Sequence, residues 1–529
     1  MDTWPVTFSL PQGAGIGGMT SWAVRLASAI AKHRRVRLVF HQSPEGHAAP
    51  EYPSLHNQSG IDVIHAPLLR SPGNWPDCVR CYRELLPTVL FPGVLAESYA
   101  LAAALASVQA DRLRVVGWNH SDNPYDYAYL AYYEPLVHRY VVNSRRCRAV
   151  LRNRLPTRAD DIRLIRHGVV PLPPARREPL SGRPLRLAYA GRMDHLVKRV
   201  LDLPELAALL DRRGLRFEMR LVGDGPQAGR VDEAVAKTVA AFRHRENRLY
   251  RESPRPCDRI HEVWQWADVS MLASTHEGLS LGMLEAMSAG CVPVVSRVAS
   301  GADDVIEDGR NGITFPVGDV EAMANRILML AGDPDAMPGM SEAARTTIAD
   351  DFGFKSYLEH VIRLLDELPS CPPRPWSPAL TLLMNPEDIG RAQGGATIPS
   401  DAADRLRALL ERLAADDLGP VAVYGAGNHT RALASVWADS PVAIRAVIDD
   451  DPARQDTRLW GWPIIPPENI ASCGVKSVVL SSWMHEDAMW QRRDLLTAGG
   501  VDVFRLYETK PPDQTHTAEA DAPQSVATA

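Results

Sequence analysis

Two carboxylates eight positions apart, Glu277 and Glu285, frame the stretch on which this sequence turns: Glu277, Gly278, Leu279, Ser280, Leu281, Gly282, Met283, Leu284, Glu285. An apolar run at 269–273 precedes it and Val292, Pro293, Val294 and Val295 follow, so the pattern reads strand, loop, helix, strand. In an open α/β sheet the space beyond the carboxyl ends of the strands is where ligands sit, and a helix opening near Ser280 turns its free backbone N–H groups toward it. Such a helix start attracts phosphate. Glu285, one to two turns in, can accept hydrogen bonds from both hydroxyls of a ribose, and Glu277, ahead of the helix, could address a sugar. Spacing alone fits two solvated surface glutamates better, so the surrounding residues decide.

A second set of candidates lies upstream. Residues 185–192 form a strand running into Gly191 and Arg192, and Lys198 follows six residues later. An arginine fork and a lysine point charge at one strand end make a natural diphosphate clamp. Near the amino terminus, 6–10 reads as a strand, followed by Gly13, Gly15, Gly17 and Gly18, a helix through Ala31 and a strand at 36–40. Missing side chains there would let backbone amides approach a phosphate; close packing of helix on strand accounts for the glycines as well. Further strands are expected at 61–65, 88–91 and 113–118, and His120 follows the last of these, where it can donate to a hydroxyl or phosphate or be structural.

These segments, in this order, resemble the retaining glycosyltransferases of family 4 over roughly residues 5–368. The resemblance rests on the paired glutamates, on Gly191, Arg192 and Lys198, on Gly223 to Pro226, on Gly17 and Gly18, on His120, on 140–144 and on 165–169, where His167 replaces an asparagine. It implies a GT-B fold, two Rossmann-like domains facing across a cleft, and a nucleoside-diphosphate sugar as donor substrate. By the same resemblance Arg192, Lys198, Gly18, Leu281 and Gly282 would hold the diphosphate and Glu285 the ribose. Glu277 and His120 would serve the sugar and the catalytic step, with no metal and no cofactor required. The acceptor is left open among cell-surface glycan, glycolipid and small molecule. Two departures stand out: Arg199 follows the lysine where the family has glycine, and Ser280 occupies a position that is often glycine.

Composition sets the frame. A chain of 529 residues with 45% hydrophobic content is long enough for about three domains and rich enough for several cores. The net charge of −6 argues against a general nucleic-acid binder. Seven dispersed cysteines read as reduced thiols, with Cys78 and Cys81 a lone C-x-x-C lacking a second ligand pair. No basic and apolar leader opens the sequence, and 99–108 is too short to span a bilayer, so a cytoplasmic protein is expected. Six arginines between Arg145 and Arg158 read as a solvated helix face or, alternatively, as peripheral docking to anionic lipid at the inner membrane.

The expected layout is therefore 1–175 as an acceptor-side Rossmann-like domain, 176–368 as the donor-binding domain and 369–399 as a proline-rich linker. A third, smaller Rossmann-like α/β domain follows at 400–510 and a polar tail at 511–529. In the third domain Gly425, Gly427 and the acidic strand end at Asp449 are spaced as a nucleotide site would need, although Thr430 replaces the third glycine of the dinucleotide fingerprint. Nucleotide binding and a structural role remain level there. The main alternative to an enzyme is a non-catalytic binding or scaffold protein with a degenerate cleft; an NAD-dependent oxidoreductase centred on Gly425 is disfavoured by Thr430.

Overall fold

Strands buried on both faces of a sheet read as unbroken apolar runs, and the first of them, β1 (Val6–Leu10), is buried at every position. It lies at the centre of a parallel sheet with β2 (Val36–His41), β3 (Ile61–Ala66), β4 (Thr88–Phe91), β5 (Leu113–Asn119), β6 (Arg139–Val142) and β7 (Ile162–Leu164), in the order β3-β2-β1-β4-β5-β6-β7. A second parallel sheet follows, with β8 (Leu185–Ala190), β9 (Phe217–Val222), β10 (Arg248–Glu252), β11 (Val269–Leu272), β12 (Val292–Ser296) and β13 (Ile313–Phe315) in the order β10-β9-β8-β11-β12-β13. The computed structural model describes residues 3–10, 18–41, 59–173 except 68, 70–73 and 94, 182–383 except 255–258, 299–300, 334–335 and 378–379, and 401–507 except 451–453, 456, 483–485, 492 and 498–499. Gly13 to Gly17, most of the proline-rich stretch after Pro173, Cys257 and the tail fall outside these.

Both sheets reverse strand order beside their first strand, between β1 and β4 and between β8 and β11, which puts a crevice at the carboxyl ends there. The two lobes belong to one compact unit, Met1–Thr397. Helix Phe354–Glu367 returns from the second lobe to the first, burying Tyr357, Val361, Leu364 and Leu365 in the core formed by β1 and helix Gly18–Ile30. Trp22 donates to the Tyr357 hydroxyl at 2.7 Å, and buried Arg114 donates to the carbonyl of Leu368 at 3.1 Å, so both ends of the returning helix are fixed. Each fully buried aromatic of this core contributes roughly 1.5–3 kcal/mol relative to exposure. Where the chain crosses between lobes its two passes are bonded to each other: Val169 N–H to the Phe352 carbonyl at 2.9 Å and Phe354 N–H to the Val169 carbonyl at 3.0 Å.

The expected linker begins later than its prolines suggest. Trp376 is buried against Tyr132 and Tyr133, whose hydroxyls donate to the carbonyls of Thr381 at 2.9 Å and Leu383 at 2.5 Å, so this stretch is a strap seated on the first lobe. Anchoring by aromatic side chains needs no periodicity. The arginine-rich segment is likewise less open than its charge suggests. The α-helix covers Arg145–Arg154, Arg158 lies in the 3-10 helix Pro156–Asp161, buried with Glu134 and Asp161 at 2.9 and 2.7 Å, and Arg145 and Arg146 pair with Asp304 and Asp122. No helix among the described residues is long and apolar enough to cross a membrane.

The second compact unit, Ile398–Ala529, holds one six-stranded sheet. Its strands are β14 (Val421–Tyr424), β15 (Ile444–Ile448), β16 (Arg458–Leu459), β17 (Trp462–Ile465), β18 (Ser477–Leu480) and β19 (Asp502–Phe504), ordered β16-β17-β15-β14-β18-β19. All pairs are parallel except β16 with β17. Helix Ala402–Ala415 packs Leu406, Leu409, Leu410 and Leu413 against it, the spacing of one apolar helix face.

Candidate functional site at the switch point of the second lobe

The loop after β11 and the loop after β8 meet. Thr275 N–H donates to the Val197 carbonyl at 2.8 Å, and Lys198 Nζ lies 2.5 Å from Glu277 Oε1, which also accepts from the Ser274 hydroxyl at 2.6 Å. Glu277 is only 9% exposed, so its charge is held by a lysine and a hydroxyl instead of water. Lys198 ends the single-turn helix His195–Lys198, capped by the Asp194 side chain on Val197 N–H at 3.2 Å. Arg199, standing where glycine was expected, adopts the left-handed conformation a glycine would favour, with φ of 50°. Its guanidinium is held by Asp202 through contacts of 2.6 and 3.1 Å, which offset the strain. Burial pushes the Asp202 carboxyl up to about 6 despite the adjacent Arg199.

Ser280 is the amino-terminal cap of helix Leu281–Ser288, accepting from Met283 N–H. Within this helix the residues that are not buried are Leu281, Gly282 and Glu285, which form one stripe facing the cleft. Gly282 lies beside the end of β8: a Cβ there would stand 3.5 Å from the Ala190 carbonyl oxygen. That closeness brings the helix start next to Arg192, whose side chain is 66% exposed, its Nε 3.8 Å from Asp194. Arg192, Lys198, Leu281, Gly282 and Glu277 thus share one strand-end crevice. Gly223 shapes its floor, with φ of 151° and the Gly191 carbonyl oxygen only 1.9 Å from where a Cβ would be.

Across the cleft the first lobe is in direct contact. Gly278 bridges Ser121, and a Cβ on Gly278 would overlap the His120 carbonyl oxygen at 1.9 Å, so only glycine allows this approach. Asp122 N–H donates to the Glu277 carbonyl at 3.3 Å, and Arg145 donates to Asp304 from its backbone at 2.7 Å and from Nε at 3.0 Å. Arg25, from helix Gly18–Ile30, forms an ion pair with Glu285. Gly18 opens that helix on its exposed side.

His120 sits in a ring cluster, edge-on to Trp22 at 4.6 Å and stacked on Trp118 at 5.7 Å and His167 at 6.1 Å. Burial, reinforced by His167, drives its imidazole far below the usual range, and burial lowers His167 to about 4. Both are therefore neutral near pH 7. Among the described residues His120 Nε2 and His167 Nδ1 are buried without a hydrogen-bond partner, and His120 borders a cavity of about 10 Å³, room for one water, with Ser9, Met19, Trp22 and Trp118. His120 can act only as a neutral donor or acceptor. In the C-x-x-C pair, burial raises Cys78 to about 11, and its thiol reaches the Pro67 carbonyl at 3.5 Å, the setting of a packed rather than reactive thiol.

In the third unit the described side chains at the equivalent position bond to one another and to the glycine turn. Gly425 has φ of 112°, and Asp449 Oδ2 accepts from Ala426 N–H at 2.7 Å and from Arg454 at 3.2 Å, so the expected ribose acid is engaged with the glycine turn itself. Gly427 precedes a helix of five residues. Thr430 fills the space of the missing glycine and donates to Ser481 Oγ at 2.8 Å, while His429 joins Ser481 at 3.1 Å and the Tyr507 hydroxyl at 2.7 Å.

Sequence reasoning missed Arg25, Ser274 and the Arg145–Asp304 pair. Arg25 had a signal: it is the single charged residue of a helix otherwise apolar or small. Asp304 and Ser274 had none.

Residues 184–333 match the family described as glycosyl transferases group 1. The N-acetyl-alpha-D-glucosaminyl L-malate synthase of Bacillus anthracis is 30% identical over 156 residues, 30% of this chain and 39% of that protein. The amylovoran biosynthesis glycosyltransferase AmsK of Erwinia amylovora is 29% identical over 193 residues, 35% of this chain and 45% of its own. Each match spans less than half of the relative's length. Among solved structures, Anabaena Alr3699/HepE in complex with UDP-glucose superposes with a TM-score of 0.56 at 14% identity, covering 69% of this chain and 100% of that one. The fold of the first unit is GT-B, and a third Rossmann-like sheet follows it.

Proposed function

We propose, from the group 1 domain at 184–333, that this chain is a glycosyltransferase moving a sugar from a nucleoside-diphosphate sugar to an acceptor hydroxyl, with retention at the anomeric carbon. The observation that carries the reading is the Lys198–Glu277 pair at the switch point, beside a serine-capped helix start and the exposed Arg192. In this reading Arg192, Lys198 and the amides near Leu281 and Gly282 bear the diphosphate's charge without a metal, with Gly18 approaching from the first lobe. Glu285 accepts from the ribose. Glu277, already oriented by Lys198 and Ser274, accepts from a hydroxyl of the donor sugar, and His120 donates to the sugar as a neutral imidazole. The bond from the anomeric carbon to the diphosphate oxygen breaks, the acceptor oxygen bonds to that carbon on the same face, and the departing oxygen takes the acceptor's proton. A glycan, a glycolipid and a small hydroxylated molecule all fit as acceptor.

The test is a thermal-shift series with UDP, GDP and ADP and their common sugars on the wild type, Arg192→Ala and Glu285→Ala. A ligand that binds only the folded form raises the melting point with its concentration. One nucleotide family should stabilise the wild type and neither variant. No stabilisation by any, or equal shifts in all three proteins, would overturn the reading; the anomeric configuration of the product, read by proton NMR, decides retention.

A further inference from the structure

Helix Gly18–Ile30 has a single open stripe, Gly18, Ser21, Arg25 and Ser28, and Arg25 is its one charge. Helix Leu281–Ser288 has a single open stripe too, and Glu285 is its one charge. The two stripes belong to different lobes, and their charges meet, Arg25 Nη1 on Glu285 Oε1, with side chains 30% and 13% exposed. An ionised carboxylate has about four lone-pair sites on its two oxygens. Arg25 engages one oxygen, and no hydrogen bond reaches Oε2 among the described residues.

From this geometry we infer that Arg25 is a donor-positioning residue: it fixes the Glu285 carboxylate from the opposite lobe so that Oε2 is presented to the ribose hydroxyls. The inference rests on the proposed assignment of Glu285 to the ribose and adds a residue from the first lobe. A glutamate side chain on a helix surface samples several rotamers; one oxygen pinned by a charged guanidinium N–H leaves the other in one place, lowering the ordering cost on binding. The pair exists only while the lobes touch. Discrimination of ribose from deoxyribose is therefore sharpest in the closed cleft, where Arg25 orders the Glu285 carboxylate.

The experiment measures dissociation constants by calorimetry for whichever of UDP, GDP and ADP binds, and for its 2′-deoxy counterpart, in full-length wild type, Arg25→Ala, Arg25→Lys, Glu285→Ala and the double variant. The wild type should prefer the ribose form by about 10-fold or more, the worth of a hydrogen bond to a charged group. Arg25→Ala should bring the ratio to within about 2-fold, like Glu285→Ala, and the double variant should lose nothing further, because the two residues act as one. Arg25→Lys, keeping charge without the fork, should fall between. Arg145→Ala is the control: it removes a different pair between lobes and should shift both affinities together with the ratio intact. A wild-type ratio in a folded Arg25→Ala protein, or an equal collapse in Arg145→Ala, overturns the inference while leaving the function standing. A wild type that binds none of the three nucleotides overturns both.

Discussion

The second lobe and the third unit place a glycine-bearing turn at the same topological position, after the central strand where the order of a parallel sheet reverses. What stands there differs. After β8 and β11 the position holds a lysine, an exposed arginine and two glutamates; after β14 and β18 it holds Thr430, Ser481, His429 and Tyr507, bonded to each other, with Asp449 folded onto the turn. One position gathers paired charges around an exposed arginine, and the other carries a network of hydroxyl and imidazole hydrogen bonds beside the Asp449–Arg454 pair. The comparison teaches that the fold assigns a location, and side chains decide whether it is a site.

The largest effect that would sharpen this contrast is at the charged crevice. Glu277→Ala should lower kcat/KM by about 100-fold or more, the scale of one group acting on the transition state, and should also lower the melting point, because it leaves Lys198 and Ser274 without their shared carboxylate. An active Glu277→Ala protein would break the distinction. Next comes Thr430→Ala in the third unit, where loss of the hydroxyl leaves Ser481 short of a partner and should cost about 1–2 kcal/mol in urea unfolding of that unit while transfer is unaffected. A loss of transfer instead would show that this network serves the reaction.

A third prediction concerns pH. Burial lowers His429 to about 4, below its value near 6.5 in the unfolded chain. The unfolded state then binds the extra proton first, so the stabilisation from keeping this histidine neutral is complete above about 6.5 and is lost as pH falls toward about 4. The difference in stability of the third unit between wild type and His429→Gln should narrow across that window and stay constant above it. A difference independent of pH would show that His429 is not held neutral. The smallest effect belongs to Arg145→Ala: its partner Asp304 is buried but Arg145 is 69% exposed, and the pair should contribute no more than about 1 kcal/mol to melting of the first unit.

How much of this was legible depended on distance along the chain. The strands at 6–10, 36–40, 88–91 and 185–190 were readable because each gathers valine, leucine and aromatic residues into a short run of strand length, and the capping role of Ser280 because a cap is local. Lys198 and Glu277 were each visible, but their pairing spans 79 positions and no periodicity encodes it. Arg25 and Glu285 are 260 apart, and only the lone charge on an apolar helix hinted at a partner. Buried Arg158 and the strap near Trp376 were not legible for the same reason, while the exposed face of helix Arg145–Arg154 was. The partnering acid and tyrosines, Glu134, Tyr132 and Tyr133, come from elsewhere, and composition alone reads such stretches as solvent-facing or as linker.

The paired crossing at Val169 and Gly353 sets the kinematics of the first unit. Two chain passes bonded side by side bend together about an axis lying across them, but swivelling one past the other would break both bonds, from Val169 to Phe352 and from Phe354 to Val169. The crossing thereby resists a swivel of one lobe past the other more than a bend between them.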